Sequence, residues 1–301
     1  KLSSLKKFLG DKNIRATNFK IIDDIKISFL IDENSIDEVL SLLKDKDSEI
    51  NPYFQSFKTH EFDVEETQVG SSSNITLQFS EYGLVQLKSS SQNQAIEIVR
   101  RRVDEIGTNE PNILKRGNDR ILVELPGLEN PDRIKSLLGK TANLTFRFVT
   151  LNEEESFGTE KIPYEDGTEA IISKRIILSG DNLVDAQPNF NSQSNQPNVS
   201  FSLDRVGAQK FGRATTDNVG KRLAIILDGK IVSAPTINEP ITSGSGVISG
   251  NFSFQEATDL ALLLRSGALP TPLSVVEERT VGPDLGQDSI RSGVISLITG
   301  F

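Results

Sequence analysis

The sequence is 301 residues long, with 36% hydrophobic and 25% charged residues and a net charge of −9. That is enough chain for two domains and a real core, and the charge has the wrong sign for nucleic acid or for a polybasic membrane contact. There is no cysteine, which excludes disulfides, zinc-thiolate sites and thiol nucleophiles; there is no methionine either, at position 1 or elsewhere, so the chain reads as a piece of a larger protein.

The first residues, Lys1-Leu2-Ser3-Ser4-Leu5-Lys6-Lys7, are amphipathic and lack the apolar core of a signal peptide. A short helix is expected near Leu2–Leu9, closed by Gly10. Asn18–Ile22 and Ile25–Ile31 follow as a hairpin around Asp23-Asp24. Ser35-Ile36-Asp37-Glu38 has the pattern of a capping box, opening a helix through Leu43. After a variable loop, Ile75, Leu77 and Phe79 alternate as a strand.

The order then repeats. Ile96, Val99, Val103 and Ile106 make one helical stripe in 92–106, and Gly107 can end that helix in a left-handed conformation. Asn112–Lys115 and Arg120–Leu125 are strands joined at Gly117-Asn118-Asp119. Pro131 sits at a first helical position, ahead of Ile134, Leu137 and Leu138, and Gly139 closes that helix. Leu144, Phe146 and Phe148 alternate. With 75–79 as leading strand, 75–149 runs strand-helix-strand-strand-helix-strand, the ferredoxin-like order.

From Leu151 the texture changes to loops and short strands, including an Asn-, Ser- and Gln-rich stretch at 189–198. Val199–Leu203 is a strand. Asp204 can cap a helix through about Asn218, weakened by Gly207 and Gly212 by ~1 kcal/mol each. Asp228-Gly229 between Leu223–Leu227 and Lys230–Val232 is a strong hairpin signal. Ser253-Phe254-Gln255-Glu256 is a second capping box, and its helix ends at Gly267. Pro270 and Pro272 stiffen a linker into a last strand, Leu273–Val281, that could return to the first sheet. Residues 151–268 would then be an insertion on two adjacent strands. Gly293–Phe301 is nine uncharged residues, which fits either a short apolar tail or the start of a membrane helix.

No catalytic constellation emerges. The single histidine, His60, lies in a polar stretch, and no Gly-x-Ser-x-Gly elbow exists. Asp45-x-Asp47-x-Glu49 starts like a calcium loop but has Ile50 where the turn needs glycine. Gly220-Lys221 is followed by arginine, not the Ser or Thr of a phosphate-binding loop. A carboxylate-pair hydrolase is a remote alternative, since tryptophan is absent and tyrosines number three. No metal or cofactor is expected. Arg100-Arg101-Arg102 reads as a solvated face opposite the apolar stripe, with an intersubunit contact as the other reading. Phe201, Val247, Ile248, Phe252 and Phe254 are either core or, in part, a groove for an extended peptide pairing with an edge strand.

Several runs resemble one family. Asn93-x-Ala95-Ile96, Arg100–Gly107 and Glu110-Pro111 are similar to the NILRNRVNxLGVxEP-type stretch of SecD, a membrane subunit that assists bacterial protein export. So are Asp119–Gly127, Leu138–Arg147, Leu223–Pro235, Gly250–Phe252, Leu262–Pro270 and Glu277–Gly286. Residues 1–92 match in layout more than in motif.

The resemblance implies a non-enzymatic domain on the periplasmic side of the cytoplasmic membrane. Its α+β fold would be a ferredoxin-like base carrying an inserted α+β head, with a second helix–strand–strand–helix–strand unit at the N-terminus. The expected division is a base of 1–150 plus 269–290, a head of 151–268, and the start of a membrane helix at 291–301. The implied partners are unfolded preprotein, SecF and the SecYEG channel, with the proton-conducting helices outside this sequence. The head would swing on hinges near Thr150 and Gly267–Pro270. The alternative is a passive docking scaffold for SecF or SecYEG, with the arginine run as one contact.

Overall fold

Ile27, Phe29 and Ile31 on one segment and Ile75 and Leu77 on another all point to one face, and burying that face requires helices laid against a sheet. In the computed structural model, which describes residues 1–108, 110–127, 130–150, 158–191 and 195–279, this is how the first unit is built. The described chain divides into two units, 1–97 with 110–125 and 98–109 with 126 onward.

The first unit opens with helix α1 (Leu2–Asp11), strands β1 (Ala16–Ile22) and β2 (Lys26–Asp32) and helix α2 (Ile36–Lys44). The short strands β3 (Tyr53–Phe54) and β4 (Thr59–His60) precede β5 (Phe62–Val69) and β6 (Ser72–Phe79). The sheet is antiparallel, in the order β1-β2-β6-β5. Leu5 and Leu9 of α1 and Val39 and Leu43 of α2 bury its apolar face. Asp23 and Asp24 take left-handed φ of 51° and 57°, the geometry that a two-residue hairpin turn demands. Helix α3 (Glu81–Ile106) begins in this unit, followed by the hairpin of β7 (Asn112–Arg116) and β8 (Arg120–Glu124).

The loop after α2 is anchored by one residue. Asn51, 1% exposed, donates from its amide to the carbonyls of Leu43 and Phe62, both at 2.9 Å, and accepts from the Phe62 N–H at 2.7 Å. It thus satisfies backbone groups at the end of α2 and the start of β5 that no ladder reaches.

In the second unit, α4 (Pro131–Gly139) has Asn130 as its cap, accepting from the Arg133 N–H. Strands β9 (Leu144–Phe148), β10 (Thr159–Pro163), β11 (Glu169–Ser173), β12 (Leu178–Ser179), β13 (Leu183–Phe190) and β14 (Pro197–Leu203) follow. Helix α5 (Arg205–Thr216), strands β15 (Leu223–Leu227), β16 (Lys230–Ser233) and β17 (Ser245–Ser249) and helix α6 (Phe254–Ser266) complete it. One sheet has the order β12-β9-β15-β16, another β13-β14-β17, and β10-β11 is a separate hairpin. Leu223 and Ile225 join Phe146, Phe201, Phe211 and Leu260 in the main core, while Ala224 and Ile226 pack with Ile162 and Ile172. The continuous apolar run of β15 follows from being covered on both faces. The Ser253–Glu256 capping box forms, with bonds of 3.2 and 2.8 Å, and Asp204 caps α5 by accepting from the Gly207 N–H at 2.5 Å.

Several expectations are corrected. The first helix ends at Asp11; Asn13, with φ 58°, makes the left-handed turn in place of Gly10. Ser35 does not cap α2, because a 3-10 turn at Glu33–Ser35 precedes the helix and its hydroxyl accepts no capping bond. Helix α3 starts at Glu81, well before Gln92. Strand β5 gave no alternation in sequence because, as an edge strand, it buries only Phe62.

The ferredoxin-like sheet expected over 75–149 does not form among the described residues. Its strands lie in three sheets: β6 with β2 and β5, β7 with β8, and β9 with β12 and β15. Both edges of β6 and both edges of β9 are already taken. The return strand expected at 273–281 is absent over the described 273–279, and β9 has no free edge to receive it. The apolar stretch at 293–301 lies outside the described residues. No described helix is long and apolar enough to cross a membrane.

Two outcomes are expected. Asn51→Leu should lower stability by about 3 kcal/mol in urea unfolding, since it strands buried backbone groups at both ends of the loop. The second concerns pH. The Asp204 carboxylate is held below its ordinary 3.8 by the backbone N–H of Gly207, and Glu256 below its ordinary 4.5 by that of Ser253. A carboxylate depressed on folding adds stability that is complete above its unfolded value and is lost as pH falls through the folded one. The thermal midpoint should therefore fall as pH drops below about 4, and Asp204→Asn with Glu256→Gln should flatten that limb.

Candidate functional site

The five apolar residues expected to line a groove do not share one surface. Phe201 and Ile248 are 4% and 0% exposed, fixed in the core against Phe146 and Phe211. A Cβ on Gly246 would come within 2.6 Å of the Phe201 ring, so the tip of that ring occupies the space a side chain there would need. Neither residue offers a surface. Val247, adjacent to Ile248 on a strand of period two, faces the opposite side of the sheet and is 48% exposed. It is paired there with Ser200.

Phe252 is partly buried against the core, and Phe254 is exposed at the first turn of α6. The Phe254 ring stacks on Phe190, with centroids 5.2 Å apart and planes 2° from parallel. Both rings are about half exposed. Phe190 ends β13 on the sheet face that carries Ala186, where the α6 layer runs out. The two rings form an open aromatic platform at the β13 edge of the sheet, with β14 between them and the other edge strand, β17. Sequence reasoning missed Phe190 because it sits in an Asn-rich stretch without periodicity.

Arg102 is the largest departure from the sequence-based expectation. It is 0% exposed and lies on the same side of α3 as Val99 and Val103. Its Nη1 shares its hydrogens among the carbonyls of Leu137 (2.7 Å), Leu138 (3.2 Å) and Lys140 (2.5 Å). Its Nη2 donates to Thr141 (3.4 Å) and Gly267 (3.2 Å). Leu137, Leu138 and Lys140 end α4, and Gly267 is the cap of α6. One guanidinium therefore closes the negative ends of two helices. Desolvation pushes it down to about 10, opposed by the negative charge of Asp228, so it stays protonated at neutral pH.

Asp228 holds the same loop from its other side. Its carboxylate accepts from Thr141 Oγ1 (2.5 Å) and from the N–H groups of Ala142 (3.1 Å) and Asn143 (2.8 Å). Those bonds support Ala142 at φ 58°, a left-handed conformation that alanine seldom adopts. Next to this node, Arg265 of α6 pairs with Glu105 of α3 at 2.5 Å and donates to the Ala186 carbonyl at 2.6 Å.

The expected hinge positions are tied. The Thr150 N–H donates to Ile171 at 2.8 Å, the Gly267 carbonyl accepts from Arg102, and the Leu269 N–H donates to Thr141 at 2.8 Å. Pro270 follows directly.

His60 has its Nε2 3.2 Å from the Asp45 carbonyl and its ring edge-on to Tyr53, a structural arrangement. Among the described residues, no three His, Asp or Glu side chains converge as a metal site. What the arrangement can do is present apolar surface and hold a defined geometry.

Known proteins resemble this chain in sequence and in fold. A family model described as the SecDF P1 head subdomain matches residues 155–271. One described as the N-terminal part of the P1 domain of protein translocase subunit SecDF matches residues 92–150. The protein translocase subunit SecD of Rickettsia bellii (strain RML369-C) is 42% identical over 98% of this chain and 58% of its own length. That of Acetobacter pasteurianus (strain NBRC 105184 / IFO 3283-01) is 49% identical over 69% of this chain and 41% of its own. The chain spans about half the length of the curated relatives it matches. A solved structure of SecDF, described as a membrane component that enhances protein export, aligns at 34% identity with a TM-score of 0.54. The alignment covers 64% of this chain and 94% of that one. A crystal structure of SecDF in a super-membrane-facing form aligns at 36% identity with a TM-score of 0.56, over 69% of this chain and 30% of that one.

Arg102→Met should cost about 4 kcal/mol in urea unfolding, because it leaves a cluster of buried carbonyls without donors. Arg102→Lys should recover less than half of that, since an ammonium cannot reproduce the planar fork.

Proposed function

Because this chain belongs to the SecD family of protein translocase subunits, we propose that it is the preprotein-handling part of the export machinery. It binds unfolded preprotein on the outer side of the cytoplasmic membrane as the substrate leaves the SecYEG channel, and it works alongside SecF. In this reading residues 151–268 form a head that moves on a base made by 1–150 and 269–290. The proton-driven part of the cycle lies in membrane helices outside this sequence, and the domain itself performs no chemistry.

The observation that carries the proposal is the Phe190–Phe254 platform. Two stacked aromatic rings, each about half exposed, sit at the β13 side of a three-stranded sheet whose far strand, β17, has one edge unpaired among the described residues. An unfolded chain offers two things a folded protein conceals: apolar side chains and unpaired backbone groups. The platform receives the first, and an edge strand pairs with the second. Sequence-tolerant binding of this kind suits a client set of many different preproteins. Arg102 is buried, which removes it from any docking contact made by the arginine run and weakens the passive-scaffold alternative.

A photo-crosslinking amino acid at Phe190 or Phe254 should capture a translocating preprotein in membranes that contain the whole protein. The same probe at Lys20, on β1 of the first unit, should not. Phe190→Ala with Phe254→Ala should reduce capture at a neighbouring position such as Gln255 by about tenfold. Capture confined to Lys20 would refute the platform.

A further inference from the structure

Movement at Thr150 would have to separate β9 from the strands that follow it. Strand β9 is central in its sheet: Leu144 to Phe148 pair with Leu227 to Leu223 on one side, and Phe146 and Thr145 with Leu178 and Ser179 on the other. Leu144 and Phe146 also lie in the main core with Val199, Phe201, Phe211 and Leu260. Opening there would break two ladders and a core. The segments before β9 and after α6 are held far more lightly. The Leu269 N–H meets the Thr141 carbonyl at 2.8 Å, and the Leu273 N–H reaches that of Gly139 at 3.4 Å. Across the same boundary, α4 and α6 share one ion pair, Arg133 with Asp259 at 2.6 Å, and a small cluster of Leu137, Ala142 and Leu263.

We propose that the moving body begins at Leu144 rather than after Thr150, that it articulates at residues 139–143 and 267–270, and that Arg102 is the pin through both strands of that articulation. The inference rests on the reading that head and base move relative to each other. Arg102 is suited to the role because its two nitrogens serve different partners. Nη1 stays with the end of α4, at 2.5–3.2 Å. Nη2 reaches across to Thr141 and Gly267 at 3.4 and 3.2 Å, longer than the 2.7 and 2.5 Å bonds of Nη1 to Leu137 and Lys140. Of the Arg102 bonds, only the Nη2 pair has to break for the two connections to part, together with the Leu269–Thr141 and Leu273–Gly139 bonds and the Arg133–Asp259 and Arg265–Glu105 ion pairs. Asp228 then keeps the 141–143 turn with β15 and β16, since it grips Ala142 and Asn143 through their backbone. Arg102 is thus a positioning residue: it touches no substrate and sets the rest geometry of the two connections.

The chain has no cysteine, so introduced pairs carry spin labels at defined places. One pair, Ser136→Cys with Lys210→Cys, spans the proposed articulation from α4 to α5. A second, Asn143→Cys with Lys210→Cys, spans Thr150 but starts at the last residue of the articulation, whose N–H is held to Asp228 of the moving body. In Arg102→Gln, pulsed dipolar spectroscopy should show the 136–210 distance distribution broadened or shifted and the 143–210 distribution unchanged. Broadening of both pairs would put the articulation after β9, and a folded variant with neither pair changed would remove Arg102 as the pin. Should Arg102→Gln fail to fold, amide hydrogen exchange on the unmutated chain decides. Exchange at Leu269 and Leu273 should be at least about tenfold faster than in the β9–β15 ladder, and equal or slower exchange there overturns the proposal. Neither measurement contains preprotein, so failure of the articulation is separable from failure of the binding platform.

Discussion

A buried guanidinium that ends two helices is the constraint on which the second unit depends. Taking an arginine out of water costs several kcal/mol unless its donors are met. Arg102 offsets the cost through Nη1 and Nη2, while its Nε has no partner among the described residues, with carbonyls rather than with a carboxylate in contact: three from the end of α4, one from Thr141 and one from the cap of α6. Those carbonyls are among the groups a helix leaves unsatisfied at its C-terminus. The exchange is mutual, and neither helix end nor the guanidinium is well solvated without the other. Asp228 contributes the opposing charge and spends its own acceptors on the 141–143 turn.

This node explains why the long helix α3 is needed. It carries Ala95, Val99 and Val103 as ordinary apolar contacts, and it places Arg102 between α4 and α6. Arg265 repeats the theme at the surface, tying α6 to α3 through Glu105 and to β13 through the Ala186 carbonyl. On the proposed function, a domain that handles a polypeptide has to keep its binding surface in a defined orientation. Two arginines do so here by fastening backbone, which any side-chain repacking leaves in place. The apolar platform of Phe190 and Phe254 can then stay exposed because the sheet behind it is closed by a separate, well-filled core.

Local signals in the sequence were reliable where one residue's chemistry decides the geometry. Asp23-Asp24 and Asp228-Gly229 adopt the left-handed turns their hairpins require. Ser253-Phe254-Gln255-Glu256 forms its reciprocal cap, and Gly107 and Gly267 end their helices with positive φ. Ser35-Ile36-Asp37-Glu38 has the same spelling and does not form a cap, because Glu33–Ser35 winds into a 3-10 turn that carries the chain straight into α2. The edge strand β5 and the anchor Asn51 were invisible, since an exposed strand has no alternation and a single asparagine has no pattern. The peptide-binding candidates split for a related reason: alternation says that Val247 and Ile248 face opposite ways, yet not which of the two meets the core.

By itself, the sequence determined the α+β class, most of the helices and hairpins, and membership of an export family through motifs that run from 93 to 286. Tertiary structure alone decided which strands share a sheet and what the arginine run does. Strand order depends on which edges are already occupied, and an edge is a property of the assembled sheet, so β6 and β9 could not reveal in advance that neither had one free. A charged residue within a helical stripe is read as solvated because burial is costly. Arg102 escapes that rule only because two helix ends, 35 and 165 residues further along the chain, arrive with their carbonyls pointed at it.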